Sequence, residues 1–233
     1  QGKEYFATGT HKNGAEKIKE GDQKTPVGVY FVTANLPRQK LTDFYGVGAF
    51  PISYPNEWDR REGRNGHGIW LHGTPSDTYS RPPRSSNGCV VLANQDLDTL
   101  GRTFQVGLTP VIITSEMEWT SPDVLRHERQ TLIQTLEGWR KDWESLSTGN
   151  YLKHYSKRFS TGEQTLSDWS RQKHDVNARK SWIKVRLANV SMFFYPGKEN
   201  LAVVNFEQDY SSSNLSNRMN KRQYLIKEGD RWS

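Results

Sequence analysis

The pattern of hydrophobic residues changes about halfway along the chain. In the first half, apolar residues occur in short runs bounded by Gly, Pro, Asn and Asp, a pattern typical of short strands. Asn94 precedes Leu97 and Leu100 in a position suited to capping a short helix. The first half therefore predicts a compact β-sandwich or mixed sheet with short helices. The apolar runs cover residues 4–7, 28–32, 46–50, 68–71 and 109–114.

In the second half, apolar residues first recur every three or four positions, as on one face of an α-helix. Pro122 is suited to the first turn of this helix, and Gly149 and Asn150 are suited to its end. Two shorter helices are predicted over 151–159 and 168–180. The residues on the predicted apolar face of the long helix are Leu125, Leu132, Leu136, Trp139, Trp143 and Leu146.

From residue 183 onward the apolar positions alternate, which predicts antiparallel strands, with a closing hairpin turn at 228–230. Helices followed by a strongly bent antiparallel sheet make a cone. The sequence thus predicts an α+β protein of two domains, residues 1–117 and residues 118–233. We expect the polar residues of the predicted helices to lie on solvated surfaces, and these include His154, Asp168, His174 and Asp175.

The composition excludes two classes of protein. The net charge is +6 and the pI about 9.3, but Lys and Arg are scattered and form no basic block interleaved with aromatic residues. We therefore expect no nucleic-acid partner. No run of eighteen apolar residues occurs, so we expect no membrane span. The sequence begins with Gln1 rather than Met, and we expect a targeting segment to be absent from it.

The stretch from His67 to Leu92 carries the candidate chemistry. It contains Cys89, the single cysteine of the chain, and His72, seventeen positions earlier, at the end of an apolar run. A thiol becomes a fast nucleophile when a nearby imidazole removes its proton. One thiol and one candidate base on separate elements therefore favour nucleophilic catalysis.

The residues around this pair add two further predictions. Ser86, Asn87 and Gly88 precede the cysteine and form a tight turn, so the backbone N–H groups of Asn87, Gly88 and Cys89 are candidate donors to an oxyanion. The carbonyl of Gly73 is a candidate acceptor for the Nδ1–H of the preceding histidine. Such a bond would fix the tautomer without a carboxylate.

Two other interpretations of these residues stay open. A lone cysteine is often an inert, buried packing residue. A zinc site from His67, His72 and Cys89 is the second, but the sequence has neither C-x-x-C nor H-E-x-x-H. We therefore expect no metal and no other cofactor.

Two segments carry a family resemblance. H-G-T at 72–74 followed by S-N-G-C-V-V-L at 86–92 resembles the active-site signature of the YkuD-type L,D-transpeptidases, H-G-T…S-H-G-C. Residues 20–30 resemble the G-D-x-x-T-P-x-G-x-Y segment of the same family. Asn87 and Val91 depart from the pattern, standing where members have His and, in many cases, Arg.

The resemblance implies roles for the site residues. Cys89 would be the nucleophile and His72 the base. With Val91 in place of arginine, Arg81 or Arg84 would have to bind the substrate carboxylate. The other residues expected to contact substrate are Ser86, Tyr79, Trp70 and His67.

The resemblance also implies a substrate and a reaction. Members act on peptidoglycan stem peptides, and a thioester at the cysteine is either hydrolysed, which trims a tetrapeptide to a tripeptide, or passed to an amine. We expect an L,D-carboxypeptidase. The alternatives are an L,D-transpeptidase that forms 3-3 cross-links or attaches a protein to peptidoglycan, and a non-catalytic peptidoglycan-binding scaffold.

The second half resembles the nuclear-transport-factor-two-like (SnoaL-like) domains, which form cones. The two halves together resemble the cell-shape-determining L,D-carboxypeptidases of curved and helical bacteria. The resemblance implies export to the periplasm or cell envelope. An apolar mouth of the cone would bind a ligand or a second copy of the chain, as a homodimer.

Overall fold

A computed structural model describes residues 7–9 and 16–233 of the chain. The chain divides into two compact units, Gln1–Glu116 and Met117–Ser233. Both contain helices and strands, so the predicted α+β class is confirmed. The predicted strand at 4–7 lies outside the described residues except for Ala7. No helix in the described part is long and apolar enough to cross a membrane.

The first unit is built from two sheets and short helices. Its elements are β1 (Ala7–Thr8), β2 (Gly28–Phe31), β3 (Leu36–Pro37), 3-10 turns at Arg38–Lys40 and Asp43–Tyr45, β4 (Gly48–Pro51), α1 (Glu57–Arg61), β5 (Trp70–His72), β6 (Val90–Leu92), α2 (Asn94–Gly101) and β7 (Pro110–Ile113). One sheet has the order β1-β6-β5-β4-β3, and β2 pairs with β7. Strands β5 and β6 run parallel, and the other pairs are antiparallel.

The two sheets and α2 share one apolar core. A bridge between Val32 and Ile52 connects the two sheets beyond the ends of β2 and β4. Because side chains of both sheets face the same core, the unit is a small β-sandwich, as the apolar runs predicted. Its buried residues are Tyr30, Val32, Phe50, Ile52, Tyr54, Ile69, Leu71, Leu92 and Leu97.

Some predicted boundaries in this unit were wrong. Gly46 and Gly68 have φ values of 64° and 74°, in the left-handed region, which interrupts an extended strand. Strands β4 and β5 therefore begin two residues later than the apolar runs. Asn94 does not cap α2, because it is the first helical residue and Ala93 holds the cap position without a side-chain bond.

The second unit packs helices against a curved antiparallel sheet. Its elements are α3 (Pro122–Glu144), α4 (Thr148–Leu152), β8 (Ser160–Thr161), β9 (Gln164–Thr165), α5 (Leu166–Asn177), β10 (Ile183–Phe194), β11 (Leu201–Ser212), β12 (Leu215–Glu228) and β13 (Arg231–Trp232). The sheet order is β10-β11-β12-β13, and β8 pairs with β9. Gly229, with φ 64°, forms the predicted turn between β12 and β13.

The long helix has the predicted apolar face over most of its length. Ser121 caps it and Pro122 opens it, while Leu132, Leu136, Trp139 and Trp143 are buried against β10–β12 residues. The prediction was wrong at both ends. Leu125 is 46 % exposed, and Leu146 lies beyond the last helical residue. Gly149 and Asn150 belong to α4 rather than to a helix end, and α4 stops at Leu152, well short of residue 159.

A buried ion pair organises the segment before β2. Asp22 accepts hydrogen bonds from Lys17 Nζ at 2.7 Å and from the backbone N–H groups of Ile18, Lys19 and Lys24 at 2.9–3.1 Å. Burial opposes ionisation of Asp22, but these bonds together hold its pKa at about 2, below the ordinary 3.8. Both side chains are less than 10 % exposed. The aspartate therefore fixes the chain that leads into the T-P segment.

Replacing Asp22 by Asn should destabilise the protein in a pH-dependent way. The pKa of Asp22 is lower in the folded protein than in the unfolded chain, where it is near 3.8. Ionised Asp22 therefore stabilises the fold fully at pH values above about 3.8, and this stabilisation is lost as the pH falls toward about 2. We expect D22N to melt below wild type at pH 7 and the difference to shrink below pH 4. Thermal melts followed by circular dichroism measure this. D98N, which removes an exposed pair with Arg102, is the control, and an equal D22N deficit at every pH would contradict the assignment.

Candidate active site

His72 lies at the end of β5 and is 1 % exposed. Its Nδ1 is 2.7 Å from the carbonyl oxygen of Gly73, and its ring contacts those of Phe44 and Tyr45 at centroid distances of 5.7 and 5.2 Å. The carbonyl requires the proton on Nδ1, which leaves Nε2 as an acceptor. Burial, and to a lesser degree the charge of Arg81, lowers the pKa of His72, so the imidazole is neutral at pH 7. This is the form of a general base.

Cys89 directly precedes β6, the parallel neighbour of β5. The register pairs His72 with Val91, the second residue of β6. The histidine and the cysteine therefore lie on neighbouring segments of the chain, and the charge of Arg81 acts on both.

The thiol of Cys89 contacts two backbone groups, one of Gly68, just before β5, and one of Trp70, the first residue of β5. Its Sγ donates to the carbonyl of Gly68 at 3.4 Å, and the N–H of Trp70 donates to the sulfur. Burial raises the pKa of Cys89, and the Trp70 bond with the charges of Arg81 and Lys17 only partly offsets this rise. Both shifts therefore favour a neutral thiol and a neutral imidazole over a thiolate–imidazolium pair.

Ser86 organises the turn before the cysteine. Its hydroxyl donates to the carbonyl of Cys89 at 2.7 Å and accepts from the N–H of Gly88 at 3.2 Å. The Ser86 hydroxyl is thus bonded within the loop, and the Gly88 N–H is engaged by it. Their roles in substrate binding and in the oxyanion hole stay predictions. The N–H groups of Asn87 and Cys89 stay the predicted oxyanion donors.

Gly88 is required by a close approach of two chain segments. Its φ is 113°, and a Cβ at this position would lie 2.8 Å from the carbonyl oxygen of Lys24 and 3.1 Å from Ile69 Cδ1. Lys24 is held in turn by its N–H bond to Asp22. The segment at 20–30 therefore packs against the turn that precedes Cys89. This contact explains why the G-D-x-x-T-P-x-G-x-Y motif occurs together with the motif at the cysteine.

The structure separates the two candidate arginines. The Arg81 guanidinium lies 4.6 Å from the ring centroid of Phe44, which packs on His72, and its charge acts on both His72 and Cys89. Arg84 is exposed at a turn with φ 61°. Arg81 is therefore the arginine that lies at the catalytic pair.

The remaining predicted substrate contacts differ in their placement. Trp70 gives its N–H to the thiol, and its half-buried ring packs on Tyr45 at 5.0 Å. Tyr79 is 82 % exposed. His67 is exposed as well, and its Nε2 lies 3.0 Å from Glu20 Oε1. The structure thus brings Trp70 to the thiol and His67 to Glu20 at the surface.

Asn94 is a site residue that the sequence prediction misassigned. Its Oδ1 accepts from the N–H groups of Val47 and Thr74 at 3.1 and 3.2 Å, and its Nδ2 donates to the Thr74 carbonyl at 2.9 Å. A Cβ on Gly46 or Gly73 would lie 2.1 Å from Asn94 Oδ1. The Asn94 amide therefore connects Val47 to Thr74, the residue that follows Gly73, whose carbonyl orients His72. The glycines at 46 and 73 were the only sequence signal of this contact.

The contacts of Phe44 and Tyr45 with the imidazole were also missed. These residues lie in a 3-10 turn, outside any periodic pattern. No group of three or more His, Cys, Asp or Glu side chains in the described ranges could hold a metal ion. The zinc alternative therefore has no support from the described residues.

Comparison with known proteins identifies both units. Residues 2–113 match the family model of the YkuD L,D-transpeptidase catalytic domain, and residues 131–233 match that of the Cds6 C-terminal NTF2-like domain. The chain belongs to the family in which these two domains follow one another. The resemblance inferred from the two motifs is thereby confirmed, and the chain is a peptidoglycan-modifying enzyme of the L,D-peptidase type.

Two solved structures are similar over most of their length. The chain is 30 % identical to Bd1075 of Bdellovibrio bacteriovorus, covering 91 % of this chain and 78 % of that one, with a TM-score of 0.79. It is 26 % identical to the helical cell shape determining protein Pgp2 of Campylobacter jejuni, with coverages of 97 % and 78 % and a TM-score of 0.80. No curated protein matches the chain.

The neutral thiol predicts an unusual pH dependence of alkylation. Because burial raises the pKa of Cys89, the rate of its reaction with iodoacetamide should rise with pH, with a midpoint above the value of about 8.5 for free cysteine. Intact-protein mass measured against time gives the rate, and glutathione alkylated in parallel is the control. A rate already at its plateau below pH 7 would show a thiolate–imidazolium pair instead.

Removing the Asn94 clamp should slow catalysis without unfolding the domain. N94A deletes three hydrogen bonds behind the His72–Thr74 segment, and a small misplacement of a catalytic group costs up to about 100-fold in rate. We expect release of D-alanine from a soluble tetrapeptide to be about ten- to hundredfold slower. Q95A, one residue further on the exposed side of α2, is the matched control, and equal rates for both variants would refute the clamp.

Proposed function

We propose that the protein is a cysteine L,D-carboxypeptidase that trims peptidoglycan stem tetrapeptides to tripeptides. The observation that carries the proposal is the imidazole of His72, which the Gly73 carbonyl orients on the strand next to the segment that ends in Cys89. The directions of the two pKa shifts, which favour a neutral imidazole and a neutral thiol, and the charge of Arg81 on both groups support this proposal.

The first half-reaction forms a thioester. His72 Nε2 takes the thiol proton as Cys89 Sγ attacks the carbonyl carbon of the third residue of the stem peptide, at its L-centre. The resulting oxyanion accepts bonds from the N–H groups of Asn87 and Cys89. Collapse breaks the peptide bond, and the imidazolium passes its proton to the amine of D-alanine, which leaves.

The second half-reaction hydrolyses the thioester. Water attacks the acyl carbon while His72 accepts one of its protons, and the tetrahedral intermediate expels the thiolate, which takes that proton back. The products are the tripeptide carboxylic acid and the free thiol. Arg81 is suited to bind the carboxylate of the departing D-alanine, since its charge already acts on both catalytic side chains.

The same thioester supports a second candidate function. An amine from another stem peptide, or from a protein, in place of water would give an L,D-transpeptidase. The arrangement of domains shared with a helical cell shape determining protein favours trimming, because loss of the terminal D-alanine alters the wall without adding a bond. Action on peptidoglycan places the protein in the periplasm or cell envelope.

Digestion of purified sacculi tests the proposal. We expect wild type to convert tetrapeptides to tripeptides with one D-alanine released for each, and C89A, checked for folding by circular dichroism, to release none. Liquid chromatography with mass spectrometry separates the products. New 3-3 dimers without tripeptides would establish transpeptidation instead.

The same proteins and sacculi also test the alternative of a non-catalytic peptidoglycan-binding scaffold. It predicts that wild type binds muropeptides without turnover and that C89A binds them equally well. Incubation with a carbapenem adds an independent readout, because an active cysteine gains the mass of one acylating molecule. An unmodified Cys89 in folded protein, together with unchanged sacculi, would overturn the enzymatic assignment.

A further inference from the structure

An exposed carboxylate lies beside the segment that contacts the catalytic thiol. Glu20 Oε1 lies 3.0 Å from His67 Nε2, and the two side chains are 63 % and 81 % exposed. The carbonyl of Gly68, the residue after His67, accepts the hydrogen bond of the Cys89 thiol at 3.4 Å. The pair of Glu20 and His67 is therefore one residue away from the carbonyl that contacts the nucleophile.

The backbone of Glu20 is held in this place by the segment that precedes β5. The N–H of Glu20 donates to Asn65 Oδ1 at 3.0 Å, and the N–H of Asn65 donates to the carbonyl of Ile18 at 3.2 Å. A Cβ on Gly66 would lie 3.2 Å from the Cα of Glu20, so the two chain segments pack closely there. The position of the Glu20 backbone therefore does not depend on the ion pair with His67.

Stability does not account for an ion pair at this place. Two exposed side chains gain little from pairing, because water weakens the attraction and both side chains lose freedom. In the described part of the chain, Glu20 Oε2 makes no hydrogen bond and no ion pair. By contrast Asp22, on the same segment, is buried and bonded to Lys17 at 2.7 Å. Glu20 thus presents a charged oxygen to solvent close to the nucleophile.

The reaction proposed above decides which part of a substrate comes nearest to this carboxylate. In the thioester, the acyl carbon of the third residue of the stem peptide is bonded to Cys89 Sγ, and the side chain of that residue begins at the next atom. A carboxylate binds a cation such as an ammonium group through a charge-assisted hydrogen bond. An ammonium at the end of a long side chain lies several bonds from the acyl carbon. It therefore suits a carboxylate that lies one residue from the carbonyl in contact with the thiol.

We propose that Glu20 determines specificity by binding a side-chain ammonium on the third residue of the stem peptide. His67 is the positioning residue, because its Nε2 orients one oxygen of the carboxylate and leaves the other for the substrate. The substrate class is a tetrapeptide with an amine-bearing side chain on the residue that acylates Cys89. The inference rests on the proposed function for the position of the substrate.

Two soluble tetrapeptides that end in D-alanine and differ only at the third residue test the contact. One has lysine there, and the other has norleucine, which keeps the hydrocarbon chain and lacks the ammonium. We expect wild type to release D-alanine from the lysine peptide with about fivefold higher kcat/KM, and E20Q to lose most of this preference. E62Q removes an exposed charge at the end of α1 and should keep the preference. Equal preferences in wild type and E20Q would overturn the proposal.

Variants of His67 give a readout that a merely structural residue would not change. H67Q keeps an N–H donor near the place of Nε2 and should retain the preference for lysine, whereas H67A should reduce it. A preference in H67A equal to that of wild type would contradict the positioning role.

Salt gives a second readout of the ammonium contact. The preference of wild type for the lysine peptide should shrink in about 1 M salt, because exposed charges are screened there. A preference that salt leaves unchanged would contradict an ionic contact. An effect of E20Q confined to transfer onto an added amine, with the hydrolysis preference unchanged, would assign Glu20 to an acyl acceptor and overturn the proposal.

Binding to C89A separates this inference from the carboxypeptidase proposal. Calorimetry measures the affinity of C89A and of the double variant E20Q/C89A for both peptides without turnover. We expect C89A to bind the lysine peptide more tightly and the double variant to show no preference. If wild type cleaves neither peptide while C89A keeps this preference, the reaction is wrong and the ammonium contact stands. If wild type cleaves both peptides equally well, the reaction stands and the contact is wrong. No cleavage and no preference in binding would overturn both.

Discussion

The parallel pairing of β5 with β6 is the contact on which the catalytic site depends. It places His72 opposite Val91, two residues after Cys89, although the cysteine lies seventeen positions after the histidine in the sequence. A parallel pair requires a long connection, and here that connection carries Arg81 and the Ser86–Gly88 turn. A shift of one residue in this register would turn one of the two side chains to the opposite face.

Burial of the paired strands then sets the protonation of both catalytic groups. The same loss of solvent lowers the pKa of His72 and raises that of Cys89, because in each case the charged form is the one that water stabilises. Both shifts favour the neutral forms of the two groups. In the reaction proposed above, proton transfer is therefore coupled to attack on the substrate, and the backbone contacts of the thiol hold the sulfur until that step.

Support for the site comes from segments that carry no catalytic group. Asn94 holds the chain beside His72, and Asp22 holds the segment whose Lys24 carbonyl meets Gly88. Each contact depends on close approach, which explains the glycines at 46, 73 and 88.

The sequence by itself determined the features that depend on local pattern. Apolar runs and helical spacing predicted the α+β class and the buried face at Leu132–Trp143, and the motifs around His72 and Cys89 predicted the family. These predictions succeeded because strand and helix periods, turn residues and short motifs depend only on residues that are close together in the sequence. The C-terminal end of the long helix and the starts of β4 and β5 were predicted less well, because the apolar pattern continues past the residues at which these elements end or begin.

Only the tertiary structure decided which polar side chain meets which partner. Asn94 was suited by position to a helix cap, yet its amide bonds Val47 and Thr74 from distant segments. The sequence offered Arg81 and Arg84 equally as arginines that bind the substrate carboxylate. Only Arg81 is seen to lie on the ring of Phe44, which packs on His72. Long-range contacts of this kind depend on the register of strands and the packing of loops. They cannot be derived from the spacing of residues along one segment.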